Sequence, residues 1–333
     1  MRTVHFAVLG FGRIGKRHAT IIDGYENAKL VAICDIERKK ENEVNVPFFR
    51  HIDELLDSDL LIDVVCICTP NGLHAEHALL VLNARKSVVI EKPMALKRAD
   101  CEKIIFKSLQ VSKLVFCVMQ NRYSPPAQWL KEVIRSKLLG DVYLVQINCF
   151  WNRDDRYYTK ETWHGSKDLD GGTLFTQFSH FIDIMYWLFG DITNIKAAFA
   201  NLSHGQKIEF EDTGLVSFDF LNGGKGSFNY STSVFDKNLE STLIIVGEKG
   251  TVKIGGQYME NIEYCHIENY QIPELPPSNP PNDYGSYKGS AANHHYVVEN
   301  VVDVMNQRGT ITTNALEGMK VVDIIERMYL NKI

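Results

Sequence analysis

Between residues 3 and 119, short apolar runs alternate with stretches whose apolar positions recur at helical spacing. The runs 3–9, 29–34, 61–68, 87–90 and 114–119 predict strands, and a short extended element falls near 47–49. Val, Ile and Leu fill these runs almost continuously, which is the pattern of strands covered on both faces. Residues 16–23, 52–56, 74–83 and 99–110 predict the helices between them. Such alternation predicts a doubly wound parallel sheet, with ligands bound beyond the carboxyl ends of the strands.

From Tyr123 the pattern changes. Ser124-Pro125-Pro126 opens a helix over 125–138, which Gly140-Asp141 stops, and 143–151 alternates as a strand. A polar loop, 152–170, leads through Gly171-Gly172 into an apolar helix over 173–189. The strands 192–200, 214–220, 226–230, 241–246, 251–254 and 262–266 then follow one another without helices, joined by turns such as Asn222-Gly223-Gly224. That order predicts an α+β domain with a large, open, mostly antiparallel sheet. Val142, Leu144, Phe218 and Phe220 sit among polar neighbours, so one sheet face is either solvated or paired with another copy. Residues 271–283 hold five prolines and read as a loop; 293–308 and 314–331 read as closing helices. The two patterns divide the chain into domains 1–122 and 123–333.

Composition narrows the function classes. A chain of 333 residues, 45% hydrophobic and 23% charged, supports two ordinary globular domains. A formal net charge of −5 provides no global basic field for nucleic acid or an anionic membrane. No apolar run approaches the roughly 20 residues of a membrane-spanning helix. The N-terminus lacks a secretory apolar core and cleavage site, so a cytoplasmic location is expected. Seven cysteines, an odd number without a C-x-x-C pair, predict buried reduced thiols and no metal site.

Candidate chemistry begins at Gly10-Phe11-Gly12-Arg13-Ile14-Gly15, which follows a strand and opens a helix. Gly10 permits the tight turn, Gly12 lets the backbone approach a pyrophosphate, and Gly15 lets helix and strand pack closely. Asp35, at the end of the next strand, is placed to accept from an adenosine ribose and to repel a 2′-phosphate; Arg38 nearby weakens that preference for NAD. Lys92 follows a buried strand and precedes Pro93, which restricts it to extended backbone. A partly desolvated ammonium beside a cationic ring has a lowered pKa, suited to sharing a hydroxyl proton; an exposed surface lysine is the alternative. His180 lies on the apolar helix with Thr176 one turn before and Asp183 one turn after. It reads either as a base with Asp183 fixing its tautomer or as a core histidine.

The glycine turn with His18, Thr69-Pro70-Asn71 with His74, Glu91-Lys92-Pro93, and Gly171-Gly172 with His180 and Asp183 resemble, in this order, the Gfo/Idh/MocA oxidoreductases. The resemblance covers nearly the whole chain. It implies a Rossmann domain binding NAD through Gly10, Phe11, Gly12, Arg13, Ile14, Gly15, Asp35, Thr69, Pro70, Asn71, His74, Glu91 and Lys92. It also implies catalysis at Lys92 and His180, and homodimers or homotetramers built through the C-terminal sheet. Many sugar dehydrogenases of the family carry an aspartate where this chain has Thr176, so no Asp-Lys-His triad is implied. Gln120-Asn121-Arg122-Tyr123, the Trp163-His164-Gly165 loop and Pro281-Asn282-Asp283-Tyr284-Gly285 are similar to the branch acting on nucleotide-linked amino sugars in lipopolysaccharide synthesis.

That branch implies oxidation of a secondary hydroxyl, at C3 of UDP-N-acetylglucosaminuronate, with 2-oxoglutarate as a candidate reoxidant of the bound cofactor. Asn121, Arg122, Arg153, Tyr157, Trp163, Thr176, Gln177 and His180 are then the expected substrate contacts. Arg153, Arg156, Lys160 and Lys167 form a basic loop that suits a diphosphate or a uronate carboxylate. Three alternatives stay open: a free sugar or inositol substrate, NAD-dependent glycoside cleavage, and a non-catalytic sugar sensor.

Overall fold

The computed structural model describes residues 1–159, 162–285 and 287–333. They form two compact units, the first from residues 1–118 and 294–322, the second from residues 119–293 and 323–333.

In the first unit, β1 (Val4–Leu9), α1 (Arg13–Asp23), β2 (Ala28–Cys34), β3 (Phe48–Phe49), α2 (Ile52–Leu56), β4 (Val64–Ile67), α3 (His74–Asn83), β5 (Ser87–Ile90), α4 (Arg98–Val111) and β6 (Val115–Cys117) follow in chain order. The strands form one sheet ordered β3-β2-β1-β4-β5-β6, and every pairing is parallel. Every residue of β4, β5 and β6 is buried, as their unbroken apolar runs require. On α1 the buried positions are Gly15, His18, Ala19 and Ile22, the spacing of one helical face. The strand order reverses between β1 and β4, and the carboxyl ends of strands at such a point are where open α/β sheets bind ligands.

The second unit begins with a 3₁₀ turn, Gln120–Tyr123, which ends the preceding strand earlier than the apolar run suggested. Then come α5 (Pro125–Arg135), β7 (Val142–Phe150), α6 (Thr173–Thr176), α7 (Ser179–Phe189), β8 (Ile192–Ala200), β9 (Thr213–Phe220), β10 (Lys225–Ser231), β11 (Glu240–Gly247), β12 (Gly250–Gly255), β13 (Asn261–Ile267), β14 (Pro281–Asp283) and β15 (Lys288–Ala291). Seven strands form a sheet ordered β13-β12-β11-β7-β10-β9-β8. It is antiparallel except for β7 against β10. One face is packed; the other presents Leu144, Gln146, Asn148, Leu215, Ser217 and Asn229. Phe218 and Phe220, expected on the open face, are in the core.

Three further expectations change. Residues 294–322, assigned to the second domain by chain order, belong to the first unit, where α8 (His294–Met305) packs on α1 and α9 (Ala315–Leu330) starts. The helix over 173–189 is broken: the N–H groups of Gln177 and Phe178 both reach the Thr173 carbonyl, closing α6 before α7 starts. The proline-rich stretch supplies a strand, β14, whose pairing with β15 begins at Pro281, a position proline tolerates. Among the described residues no helix is long and apolar enough to cross a membrane.

Candidate active site

Each unit places its own share of the expected residues. In the first, the glycine turn joins β1 to α1. Gly10 has φ +89°, and a Cβ there would meet the Cys68 carbonyl oxygen at 2.7 Å. A Cβ on Gly15 would overlap the Gly10 carbonyl, which is the close helix–strand packing the motif needs. Gly12 differs: nothing lies within 4 Å of a Cβ built on it. That open space, at a helix start with no acidic residue in its first turn, fits a pyrophosphate. The nucleotide fit continues at Asp35. Its Oδ2 accepts from Phe11 N (2.6 Å) and Lys40 Nζ (2.9 Å), and Oδ1 accepts from Glu37 N (2.8 Å). Burial pulls Lys40 down, but its bonds to Asp35 and Glu37 leave its pKa raised. Lys40, which was not among the expected site residues, thus pairs directly with the carboxylate expected to serve the ribose.

His74 does not face outward toward a cofactor. It is 1% exposed, with Nδ1 2.7 Å from the Pro93 carbonyl and Nε2 2.8 Å from the Thr69 carbonyl. Burial lowers its pKa against the pull of the two carbonyls, and a neutral ring donates its single N–H to only one of them, the Thr69 carbonyl or the Pro93 carbonyl after Lys92. Thr69 Oγ1 also pairs with His77 Nδ1 at 2.9 Å. Glu91 is buried at the end of β5, and its Oε1 accepts from His18 Nε2 at 2.8 Å. Lys92 follows it, joined to Pro93 by a cis peptide bond, and is half-buried.

In the second unit, α7 carries His180, which is 3% exposed. The Gln120 side-chain amide lies 3.2 Å from its Nε2. Asp183 was expected to hold the imidazole. It instead takes the Arg122 guanidinium on both oxygens, Nε–Oδ2 2.8 Å and Nη2–Oδ1 2.6 Å. Arg122 is fully buried and stacks on Trp187 at 5.3 Å, so this structure gives it an anchoring role and not the sugar contact that was expected. Asn121 keeps a free donor: its Oδ1 accepts from Ser290 Oγ (2.5 Å), whereas its buried Nδ2 has no partner among the described residues. Thr176 Oγ1 donates to the Asp170 carboxylate, which also accepts from Gly165 N at 2.8 Å. Gly172, at φ +134°, lies where a Cβ would strike the Tyr329 hydroxyl.

Arg153 is 1% exposed and ringed by Trp151 (4.7 Å), Tyr287 (4.8 Å) and Tyr157 (5.3 Å). Its guanidinium donates to Gln177 Oε1 (2.7 Å), the Asn152 carbonyl (2.6 Å), Asn238 Oδ1 (3.3 Å) and the Lys288 carbonyl (3.1 Å). Among the described residues it has no carboxylate partner, so a buried positive charge is balanced by dipoles alone. Gln177 turns its other end to Tyr157 Oη at 2.7 Å, and Tyr157 stacks on His164, against which Trp163 leans. The rest of the expected basic loop is neutralised or outside. Arg156 pairs with Asp154 and Asp236, Lys167 is exposed, and Lys160 lies outside the described residues.

Two profiles match the chain in succession: "Oxidoreductase family, NAD-binding Rossmann fold" over residues 4–117 and "GFO/IDH/MocA C-terminal domain" over residues 127–253. The chain belongs to the Gfo/Idh/MocA oxidoreductases. It is therefore an NAD-dependent sugar oxidoreductase, acting on CH–OH groups. Its fold is similar to the WlbA dehydrogenase of Bordetella pertussis in complex with NADH and UDP-GlcNAcA (29% identity, TM-score 0.88, covering 99% of this chain and 96% of that one). The WlbA dehydrogenase of Chromobacterium violaceum, with the same two ligands, is similar at 30% identity and TM-score 0.88, covering 99% and 94%. Glucose-6-phosphate 3-dehydrogenase of Bacillus subtilis is 24% identical over 299 residues, 85% of this chain and 84% of that protein.

Within this Gfo/Idh/MocA chain, sequence reasoning missed His294, Asp170 and Lys40. Lys40 was within reach, because a lysine five residues beyond Asp35 can fold back on it. His294 gave no local signal, since it joins Glu91 only through the return of the chain to the first unit.

Proposed function

We propose that this oxidoreductase oxidises a secondary hydroxyl, at C3, of a UDP-linked uronate such as UDP-N-acetylglucosaminuronate, in the synthesis of lipopolysaccharide sugars. The observation that carries this reading is the similarity over 99% of the chain to dehydrogenases crystallised with NADH and UDP-GlcNAcA. The chemistry of the chain supports it. Arg153 is a buried cation without a carboxylate, and the field of such a charge favours an anionic ligand over a neutral sugar or inositol. Bound NAD supplies the hydride acceptor, taking two electrons with the hydrogen of the sugar carbon.

The residues of the chain handle everything else. Lys92 and His180 take the hydroxyl proton as the carbonyl forms, which general-base catalysis requires of groups that can change protonation near neutral pH. Asn121 Nδ2 is a donor available to an amide or carboxylate of the sugar. Asp35 receives the ribose hydroxyls while Phe11 N, Glu37 N and Lys40 hold it in place. Thr176 is a hydroxyl backed by the Asp170 carboxylate, so a carboxylate stands one bond behind the position where many relatives carry an aspartate. A cytoplasmic location and assembly through the open sheet face, where Leu144 and Leu215 are exposed, belong to the same reading; light scattering reporting a monomer removes the assembly.

The test is a panel of UDP-sugars, free sugars and inositols, followed by the absorbance of reduced nicotinamide in single turnover, with and without 2-oxoglutarate. Reduction confined to UDP-uronates, made catalytic by 2-oxoglutarate, is expected. Equal reduction by myo-inositol or free glucose overturns the substrate assignment.

A further inference from the structure

The residue before Lys92 is the centre of a buried cluster to which the proposed chemistry gives no step. Glu91 Oε1 lies 2.8 Å from His18 Nε2 and 3.6 Å from His294 Nε2, while Oε2 faces the Lys92 N–H at 3.2 Å. His18 comes from α1 and His294 opens α8; both are at most 1% exposed, and their rings meet edge to face at 5.7 Å. Three chain segments, far apart in sequence, are thus tied together one residue before the candidate proton carrier.

Burial alone pulls His18 down, but the neighbouring Cys66 and the Glu91 carboxylate outweigh it and push its pKa up to about 10. Burial pushes Glu91 up, yet the His18 bond, with His294 and Lys92 nearby, holds it at about 2. Burial pushes His294 down to about 3. The cluster therefore holds an imidazolium, a carboxylate and a neutral imidazole. Lys92 adds a further positive charge beside them, and the neutral ring of His74, from α3, also feels it.

We propose that His18, Glu91 and His294 form a positioning cluster that fixes the backbone and the local field of Lys92 and so sets how readily its ammonium gives up a proton. This rests on the reading of Lys92 as a proton carrier. The three donor atoms lie within 4.8 Å of one another, a spacing that also suits a divalent cation. The rings argue against a cation: metal-bound imidazoles anchor their second nitrogen on an acceptor. Nδ1 of His18 and of His294 both lack a partner among the described residues.

The two charged members predict opposite effects. Glu91→Gln removes a negative charge and makes the Lys92 proton easier to lose. His18→Gln removes a positive charge and leaves the carboxylate unopposed, which makes that proton harder to lose. Each shift is about one pH unit, the scale of a single charge a few ångströms away. The experiment uses the full-length enzyme, with Lys92 followed in two ways: the pH profile of single-turnover hydride transfer, and the titration of a ¹³C-methyl label on the Lys92 amine. Glu91→Asp keeps the charge and restores the wild-type titration, which separates field from fold, and near-UV circular dichroism checks the packing of each variant. Shifts in the same direction, or none, overturn the proposal. Stoichiometric zinc in the purified enzyme, lost in His294→Gln, overturns it in favour of a metal site. If Lys92→Met remains active while the label still shows opposite shifts, the assigned reaction fails and the cluster stands.

Discussion

Replacing Asp183 with Asn removes one charge from a fully buried ion pair of the second unit with almost no change in shape. The pair is 0% and 1% exposed and bidentate, at 2.8 and 2.6 Å. Its loss leaves the Arg122 guanidinium in a dry interior facing an amide that opposes one of its N–H groups. Breaking such a pair from one side costs about 3–5 kcal/mol. For a unit of this size, each kcal/mol lowers the midpoint by about 2–4 °C, so a fall of roughly 6–20 °C is expected. All four tryptophans, Trp129, Trp151, Trp163 and Trp187, lie in the second unit, and Trp187 stacks on Arg122. Tryptophan fluorescence in a urea titration therefore reports this unit alone. The double variant Arg122→Met with Asp183→Leu removes both charges and is expected to cost less than Asp183→Asn. A single-variant cost below about 1 kcal/mol, or a double variant costing the sum of two singles, refutes the reasoning, because the pair would then be no more than a surface contact.

Other outcomes follow from the same geometry. Lys92→Met is expected to lower single-turnover hydride transfer by roughly 10²–10⁴-fold with NADH affinity retained, the usual scale for a lost acid–base group; unchanged turnover removes Lys92 from the reaction. Asp35→Ser loses the carboxylate proposed to serve the ribose and is expected to weaken NAD binding by roughly 10–100-fold, with a smaller effect on NADP, read by titration with both cofactors. Gly172→Ala places a methyl at φ +134° against the Tyr329 hydroxyl and is expected to cost roughly 1–3 kcal/mol, read by urea midpoint. His294 titrates at about 3 when folded and near 6.5 when unfolded, so the unfolded chain binds the extra proton first as pH falls. Stability present above about 6.5 is lost as pH drops toward 3, and His294→Gln should flatten that limb in midpoints measured at pH 7 and pH 5; a parallel profile contradicts it.

The parts of this molecule that could be read along the chain are those made by neighbours in sequence. The apolar runs of β1, β4 and β5 specified buried parallel strands because nothing but burial on both faces suits them. The glycine turn and Asp35 were legible for the same reason: the turn, helix start and acidic strand end occupy one short βαβ unit. Long-range partners were not legible. Asp183 sits at helical spacing from His180, and only the folded 3₁₀ turn shows that Arg122 claims it. The break between α6 and α7 is invisible in an apolar run, since it arises from backbone bonds to one carbonyl. The parallel pairing of β7 with β10 could not be read either, because strand order gives neighbours but not direction.

The arrival of His294 beside Glu91 has a consequence for how the protein is made. The first unit is interrupted by the second, and its last segment runs to residue 322. Residue 118 therefore leaves the ribosome about 200 codons before that segment does, a wait of roughly 10–40 s at ordinary elongation speeds. Throughout that interval the nascent nucleotide-binding sheet lacks α8, and the Glu91–His18 pair lacks its third member. Translation thus finishes residues 119–293 before the Lys92 environment can close, so a chain halted just before residue 294 carries most of the second unit, lacks the segment 323–333 that completes it, and has its lysine unseated.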